Sequence, residues 1–325
     1  MPSLESHIGV PSNIQEPFKI PLVVILGPTA AGKTELAIQL AERFDGEIVS
    51  ADSRLFYRGM DIGTAKPTIE ERMRVPHHLI DVADPDETWS LAVFQQEANK
   101  VIHDIYEDHH QPFMVGGTGQ FVRSVIEGWK VPSVKPDSRM REVLTELSHK
   151  VGPIELHAKL AILDTQAANS IDPTNIRRTI RALEVILSTG KRFSDQKMSG
   201  FRLYKPLIVG LTRPRVELYQ RIDDRITFMI ENGFIDEVQR LLDMGYSPDL
   251  PTMSAIGYAE IVATIQAKIT LDEAIVLIKR RTRKFVRRQA NWFKENDPAI
   301  HWYQVNAGTL DEVGKLISAW LIPSK

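Results

Sequence analysis

The chain has 325 residues, 43% of them hydrophobic and 25% charged, which fits a folded globular protein of one large domain or two modest ones. It contains no cysteine, so disulfides, thiolate zinc sites, iron–sulfur clusters and cysteine nucleophiles are excluded, and any metal must have oxygen ligands. Forty Lys and Arg against 42 Asp and Glu give a formal net charge of −2, so a polyanion would have to be held by local clusters rather than by overall attraction.

Residues 1–20 carry neither a basic leader nor an apolar run of signal-peptide length, and no later segment approaches a membrane span. The expectation is a cytoplasmic protein with a disordered N-terminus. The first ordered element is the apolar run 22–26, a strand that ends in glycine, followed by helical spacing over 34–43. Between them, Gly27-Pro28-Thr29-Ala30-Ala31-Gly32-Lys33-Thr34 fits the phosphate-binding pattern G-x-x-x-x-G-K-[ST] in the strand-to-helix context that pattern requires. Glycines let successive backbone N–H groups turn toward a phosphate, and the helix N-terminus adds partial positive charge. Lys33 then reaches the terminal phosphate, and the Thr34 hydroxyl can ligate Mg²⁺. The loop marks a nucleotide or other polyphosphate and leaves open a kinase, an NTP-driven switch or a reaction in which diphosphate departs. No apolar run ends in a clear acidic pair, which weakens the ordinary ATPase reading.

A second strand is expected over 47–50, a helix over 90–106 and a third strand over 112–115. Asp52 follows the second strand and so falls at the carboxyl edge of the sheet, beside the phosphate loop, as a candidate base. An isolated aspartate there is more often a turn or cap residue. Gly116-Gly117-Thr118-Gly119 follows the third strand, and Thr118 offers a hydroxyl to a departing anion at the same edge.

From 135 to 205 strand signals vanish and amphipathic helices take over. In this stretch Arg177, Arg178 and Arg181 lie on a helix whose buried stripe is expected to be Ile180, Leu183 and Leu187. A strand returns at 206–211, with Arg213, Arg215 and Arg221 placed to point back at the phosphate site. The chain is then helical to Phe293, with breaks at Gly233, Gly245 and 248–251, and a last strand is expected near 301–304. Residues 279–288 hold seven basic side chains and no acidic one, an electrostatic footprint for nucleic acid, with Phe285, Trp292 and Phe293 expected on the inner face of the same helix. No internal repeat is visible. The expected architecture is an α/β parallel sheet with flanking helices formed by 21–134 and 206–325, its C-terminal part helical, with a helical insertion over 135–205.

Taken together, these blocks resemble the tRNA dimethylallyltransferase (tRNA isopentenyltransferase) family from about residue 21 to 294. The match rests on the phosphate loop, Ser50-Ala51-Asp52-Ser53 with the run 57–67, the 116–119 turn, the arginine helix 172–184, 255–258 and 281–293. The resemblance implies a P-loop NTPase-like fold in which ATP is not the substrate. It implies transfer of a dimethylallyl group from dimethylallyl diphosphate, with Mg²⁺, to the N6 amine of the adenosine 3′ of the anticodon, in tRNAs reading codons that begin with U.

By the same resemblance, Asp52 is the general base, and Thr118 and the phosphate loop with Arg215 and Arg221 stabilise the leaving diphosphate. Asp52, Ser53, Arg54, Leu55, Thr118, Arg141, Arg177, Arg178, Arg181, Arg281, Arg283, Arg287 and Arg288 contact the anticodon stem-loop of tRNA, with the adenine flipped into a central channel. Gln120 and Phe121 depart from the Leu-Tyr common in the family, and a cysteine-free chain lacks the zinc-finger extension of eukaryotic members, which points to the compact bacterial form. A monomer without an obligate protein partner is expected.

Overall fold

A computed structural model describes residues 19–132, 137–197 and 201–322. Strands β1 (Ile20–Leu26), β2 (Gly46–Ser50), β3 (His77–His78), β4 (Gln111–Gly116), β5 (Tyr204–Thr212) and β6 (Ile300–Gln304) form one sheet in the order β3-β2-β4-β1-β5-β6. Every pairing is parallel. The central strand β1 is apolar without alternation because helices cover both of its faces. Leu22, Val24 and Leu26 enter one core layer, whereas Val23 and Ile25 enter the other. Residues 1–18, most of the stretch expected to be disordered, lie outside the described residues, and Ile20 already opens β1.

One layer contains α1 (Lys33–Arg43) and α13 (Thr309–Leu321), through Leu40, Ala41, Val313 and Ile317. The opposite layer is larger. It takes α3 (Leu91–Glu107), which starts at the Ser90 cap, and α4 (Gly119–Ile126). It also takes α9 (Arg215–Glu231), α10 (Phe234–Asp243), α11 (Tyr258–Ile265) and α12 (Leu271–Gln289). The short α2 (Ile69–Arg74) leads into β3. Gly233 ends α9 in the left-handed conformation, at φ 93°, as its breaker role requires. Sequence patterning did not anticipate β3 or α13.

The helical stretch between β4 and β5 is α5 (Ser138–Val151), α6 (Pro153–Leu163), α7 (Thr165–Ser170) and α8 (Ile176–Thr189). These helices share a small core of their own, in which Leu156 and Leu160 are fully buried with Ile180 and Leu183. The expected start of this insertion, residue 135, lies outside the described residues. Leu187 does not join the buried stripe and is 57% exposed; Thr179, Ala182 and Glu184 are buried instead. Glu184 ties the unit together: it accepts from the Asp137 amide at 2.8 Å, from Arg141 through two bonds of 2.8 Å, and from Arg181 at 2.6 Å.

Helix α12 stops at Gln289, so Trp292 and Phe293 lie beyond it. Phe293 is buried, whereas Phe285 and Trp292 are exposed enough to line a cavity rather than the core.

Because Leu160 is completely enclosed among apolar neighbours, Leu160→Ala should destabilise the insertion by about 2–5 kcal/mol, read as a lower urea midpoint.

Candidate active site

The phosphate loop leaves the carboxyl end of β1. Gly27 has φ 148°, and a Cβ there would lie 2.5 Å from the Leu211 carbonyl oxygen, so only glycine lets the loop pass β5 this closely. Gly32 turns the chain into α1 at φ 102°. Side chains hold the loop from outside: Arg213 Nε donates to the Ala31 carbonyl and Arg221 Nε to the Ala30 carbonyl, both at 2.9 Å. Two of the loop's carbonyls are thereby taken by arginine donors. Lys33 Nζ donates to the Pro28 carbonyl at 2.9 Å. Burial pushes the Lys33 ammonium down to about 8, with Asp52 pulling it up and Arg225 pushing it further down.

Gln289 joins the two glycine turns. Its Oε1 accepts from the Thr29 amide at 2.9 Å and its Nε2 donates to the Gly117 carbonyl at 3.2 Å. Gly116, Gly117 and Gly119 are needed for space: a Cβ would meet the Ala51 carbonyl, Gln289 and Trp292 respectively, each at 2.4 Å or less.

At the end of β2, Asp52 Oδ1 accepts from the Arg54 amide at 3.0 Å, a turn that also sets Ser53. Among the described residues no hydrogen bond engages Oδ2. The Ser53 amide faces Thr118 Oγ1 at 3.5 Å, which links this turn to the second glycine turn.

These groups share one cavity of about 1010 Å³. Thr29, Ala30, Gly32, Lys33 and Thr34 line it with Asp52, Ser53, Arg54, Leu55, Thr118, Arg221 and Arg288. Two further residues of the wall, Arg225 and Gln289, were missed in the sequence. Arg225 follows Arg221 by four positions on α9, so both face the cavity. Burial lowers its guanidinium pKa, the charge of Asp52 opposes that, and Arg221 adds to it. The i, i+4 spacing was the available signal. Gln289, an uncharged residue within a basic run, gave none.

The other arginines are dispersed. Arg215 does not line this cavity. It lines a smaller one of about 340 Å³ behind Gly27 and Pro28, with Arg213 and Arg287, and its Nε donates to the Tyr219 hydroxyl at 2.9 Å. Helix α12 therefore divides its charge, with Arg288 facing the larger cavity and Arg287 the smaller. Arg281 pairs with the buried Glu260, and Arg283 with Asp223. In the insertion, Arg177 and Arg178 are exposed, whereas Arg141 and Arg181 are held on Glu184.

Comparison with known proteins agrees with this layout. The family model described as IPP transferase matches residues 55–296. The chain belongs to the IPP transferase family. Membership makes it a prenyl-transferring enzyme. A relative named tRNA dimethylallyltransferase from Roseiflexus sp. (strain RS-1) is 52% identical over 275 residues, which is 85% of this chain and 90% of that protein. One of the same name from Thermomicrobium roseum is 46% identical over 88% of this chain and 86% of its own length. The crystal structure of full-length tRNA isopentenylpyrophosphate transferase from Bacillus halodurans superposes with a TM-score of 0.69 at 41% identity, covering 93% of this chain and 96% of that one. A eukaryotic dimethylallyltransferase, solved acting on tRNA, gives a TM-score of 0.76 at 27% identity, covering 94% and 78%. No helix among the described residues is long and apolar enough to cross a membrane.

The depressed lysine has a pH signature. Lys33 sits at about 8 against an ordinary 10.5, so the cost of its buried charge is full below pH 8 and disappears as pH rises toward 10.5. A bound diphosphate favours the charged form. The Lys33 contribution to affinity for inorganic diphosphate should therefore hold steady up to about pH 8 and weaken above it. Lys33→Met should remove that component when the two proteins are compared by titration calorimetry between about pH 7 and 9.5.

Proposed function

We propose that the enzyme transfers the dimethylallyl group of dimethylallyl diphosphate to the N6 amine of the adenosine 3′ of the anticodon in tRNA, with diphosphate as the second product. The observation that carries this reading is one cavity holding both a phosphate loop and Asp52, whose Oδ2 is free of hydrogen bonds among the described residues. The names of the family's relatives support the acceptor and the transferred group.

Adenine N6 is a weak nucleophile because its lone pair is delocalised into the ring. As the N6–carbon bond forms and the carbon–oxygen bond to diphosphate breaks, the N6 proton passes to Asp52 Oδ2 and the bonding electrons leave with the diphosphate. Lys33, Arg221, Arg225 and the loop amides meet the growing charge on the leaving group, and Thr118 donates from the second glycine turn. Arg215, in the smaller cavity, has no direct part in this step. Arg54 and Arg288 at the cavity wall, with Arg177 and Arg178 on the insertion, meet the RNA.

Among the described residues no cluster of three His, Asp or Glu could hold a metal. The exposed Thr34 hydroxyl at the start of α1 fits Mg²⁺ that arrives on the diphosphate and keeps several waters. Bound there, Mg²⁺ supplies charge neutralisation of the leaving group.

The test is incubation with unmodified tRNA, dimethylallyl diphosphate and Mg²⁺ without ATP, followed by mass analysis of nucleosides. Isopentenyl-adenosine is the expected product, and its absence would overturn the proposal. Asp52→Ala should slow single-turnover transfer by about 10²–10⁴-fold with tRNA affinity nearly unchanged; a parental rate would remove Asp52 from the mechanism. Arg288→Ala should weaken tRNA binding and reduce the slope of log affinity against log salt by about 1. Arg281→Ala, which breaks a pair with a buried carboxylate, should also lower thermal stability.

A further inference from the structure

Glu237, on α10, takes no part in the chemistry above, yet its carboxylate is fully buried. Oε2 accepts from the amides of Asp61 at 2.9 Å and Ile62 at 2.7 Å, and Oε1 accepts from the Gly63 amide at 3.1 Å and the Tyr258 hydroxyl at 2.6 Å. No ion pair to Glu237 occurs among the described residues. Three successive amides converging on one carboxylate form an anion-binding nest, filled here by the protein's own side chain.

The groups that Glu237 holds continue directly into the active-site wall. Gly63, Thr64, Ala65 and Tyr258 all line the larger cavity. A Cβ at Gly63 would stand 2.2 Å from the Phe234 ring, so bare backbone forms the wall at that point. Lys66 anchors the loop as well, its Nζ donating to the Tyr57 carbonyl at 2.8 Å and pairing with Asp61 and Asp81. An apolar side chain would fill the Glu237 site at lower desolvation cost. It could not aim three amides and a phenol at once.

We propose that Glu237 is a positioning residue for the transfer reaction: through the 61–63 amides and the Tyr258 hydroxyl it sets the stretch of cavity wall formed by Gly63, Thr64, Ala65 and Tyr258 where the bound substrates require it. The inference rests on the transfer activity proposed above. It assigns a role to the 57–67 run, whose Lys66 and Asp61 face one another rather than the cavity.

The test compares parent, Glu237→Gln and Tyr258→Phe by amide hydrogen exchange, by tRNA affinity and by single-turnover transfer at saturating substrates, well below the unfolding midpoint. The glutamine keeps the volume but offers one acceptor oxygen and an opposed NH₂. Glu237→Gln is expected to speed exchange at residues 61–63 by at least about tenfold while β1 stays protected. It should slow transfer by about 10–100-fold and leave tRNA affinity within about threefold. Tyr258→Phe keeps the three amide bonds and should slow transfer by about 3–10-fold; it carries the test if the glutamine variant does not fold.

Parental transfer rates in either folded variant would overturn the inference. So would a rate loss accompanied by equal loss of protection in β1, which marks general destabilisation. A parent that makes no isopentenyl-adenosine would instead overturn the activity itself, and loop exchange would still show whether Glu237 holds the wall.

Discussion

A diphosphate brought into a partly enclosed site must meet donors that are already aimed, because reorienting dipoles during bond breaking would cost the energy they are meant to supply. The phosphate loop is held as that demand requires. Arg213 and Arg221 fasten two loop carbonyls, Gln289 takes the Thr29 amide, and Gly27 slips past Leu211 with no room for a side chain. The parallel sheet contributes its carboxyl edge, where β1, β2 and β4 deliver the loop, Asp52 and Thr118 within reach of one another.

Much of the sheet was legible in the sequence because buried parallel strands are written as unbroken apolar runs. Strands β1, β4 and β5 were found within one or two residues of their observed bounds, and Ser90 marked the start of α3. What escaped detection was short or dictated by packing. Two residues of β3 carry no periodicity, and α13 is ordered by the groove beside α1 that receives Val313 and Ile317. Leu187 shows the opposite failure: its spacing fits the stripe of α8, but α8 has turned that position past the edge of the small core.

The site was legible where motif and backbone coincide and obscure where only three-dimensional proximity counts. Asp52 and Thr118 were named from their place after strands. Arg215 was drawn to the phosphate by its position after β5, yet the start of α9 carries it to the far side of Gly27, and Arg225, one turn past Arg221, occupies the place beside Asp52. Charge density along α12 said little about individual roles, since carboxylates on other elements, the buried Glu260 and the half-buried Asp223, hold Arg281 and Arg283.

The insertion has a core of its own, around Leu156 and Leu160, and closes the buried carboxylate of Glu184 with its own arginines. Such a unit can drift on its own schedule. Its outward face can be rewritten without a matching change in the sheet, while the phosphate loop, gripped by Arg213, Arg221 of α9 and Gln289 of α12, has to change in concert or not at all.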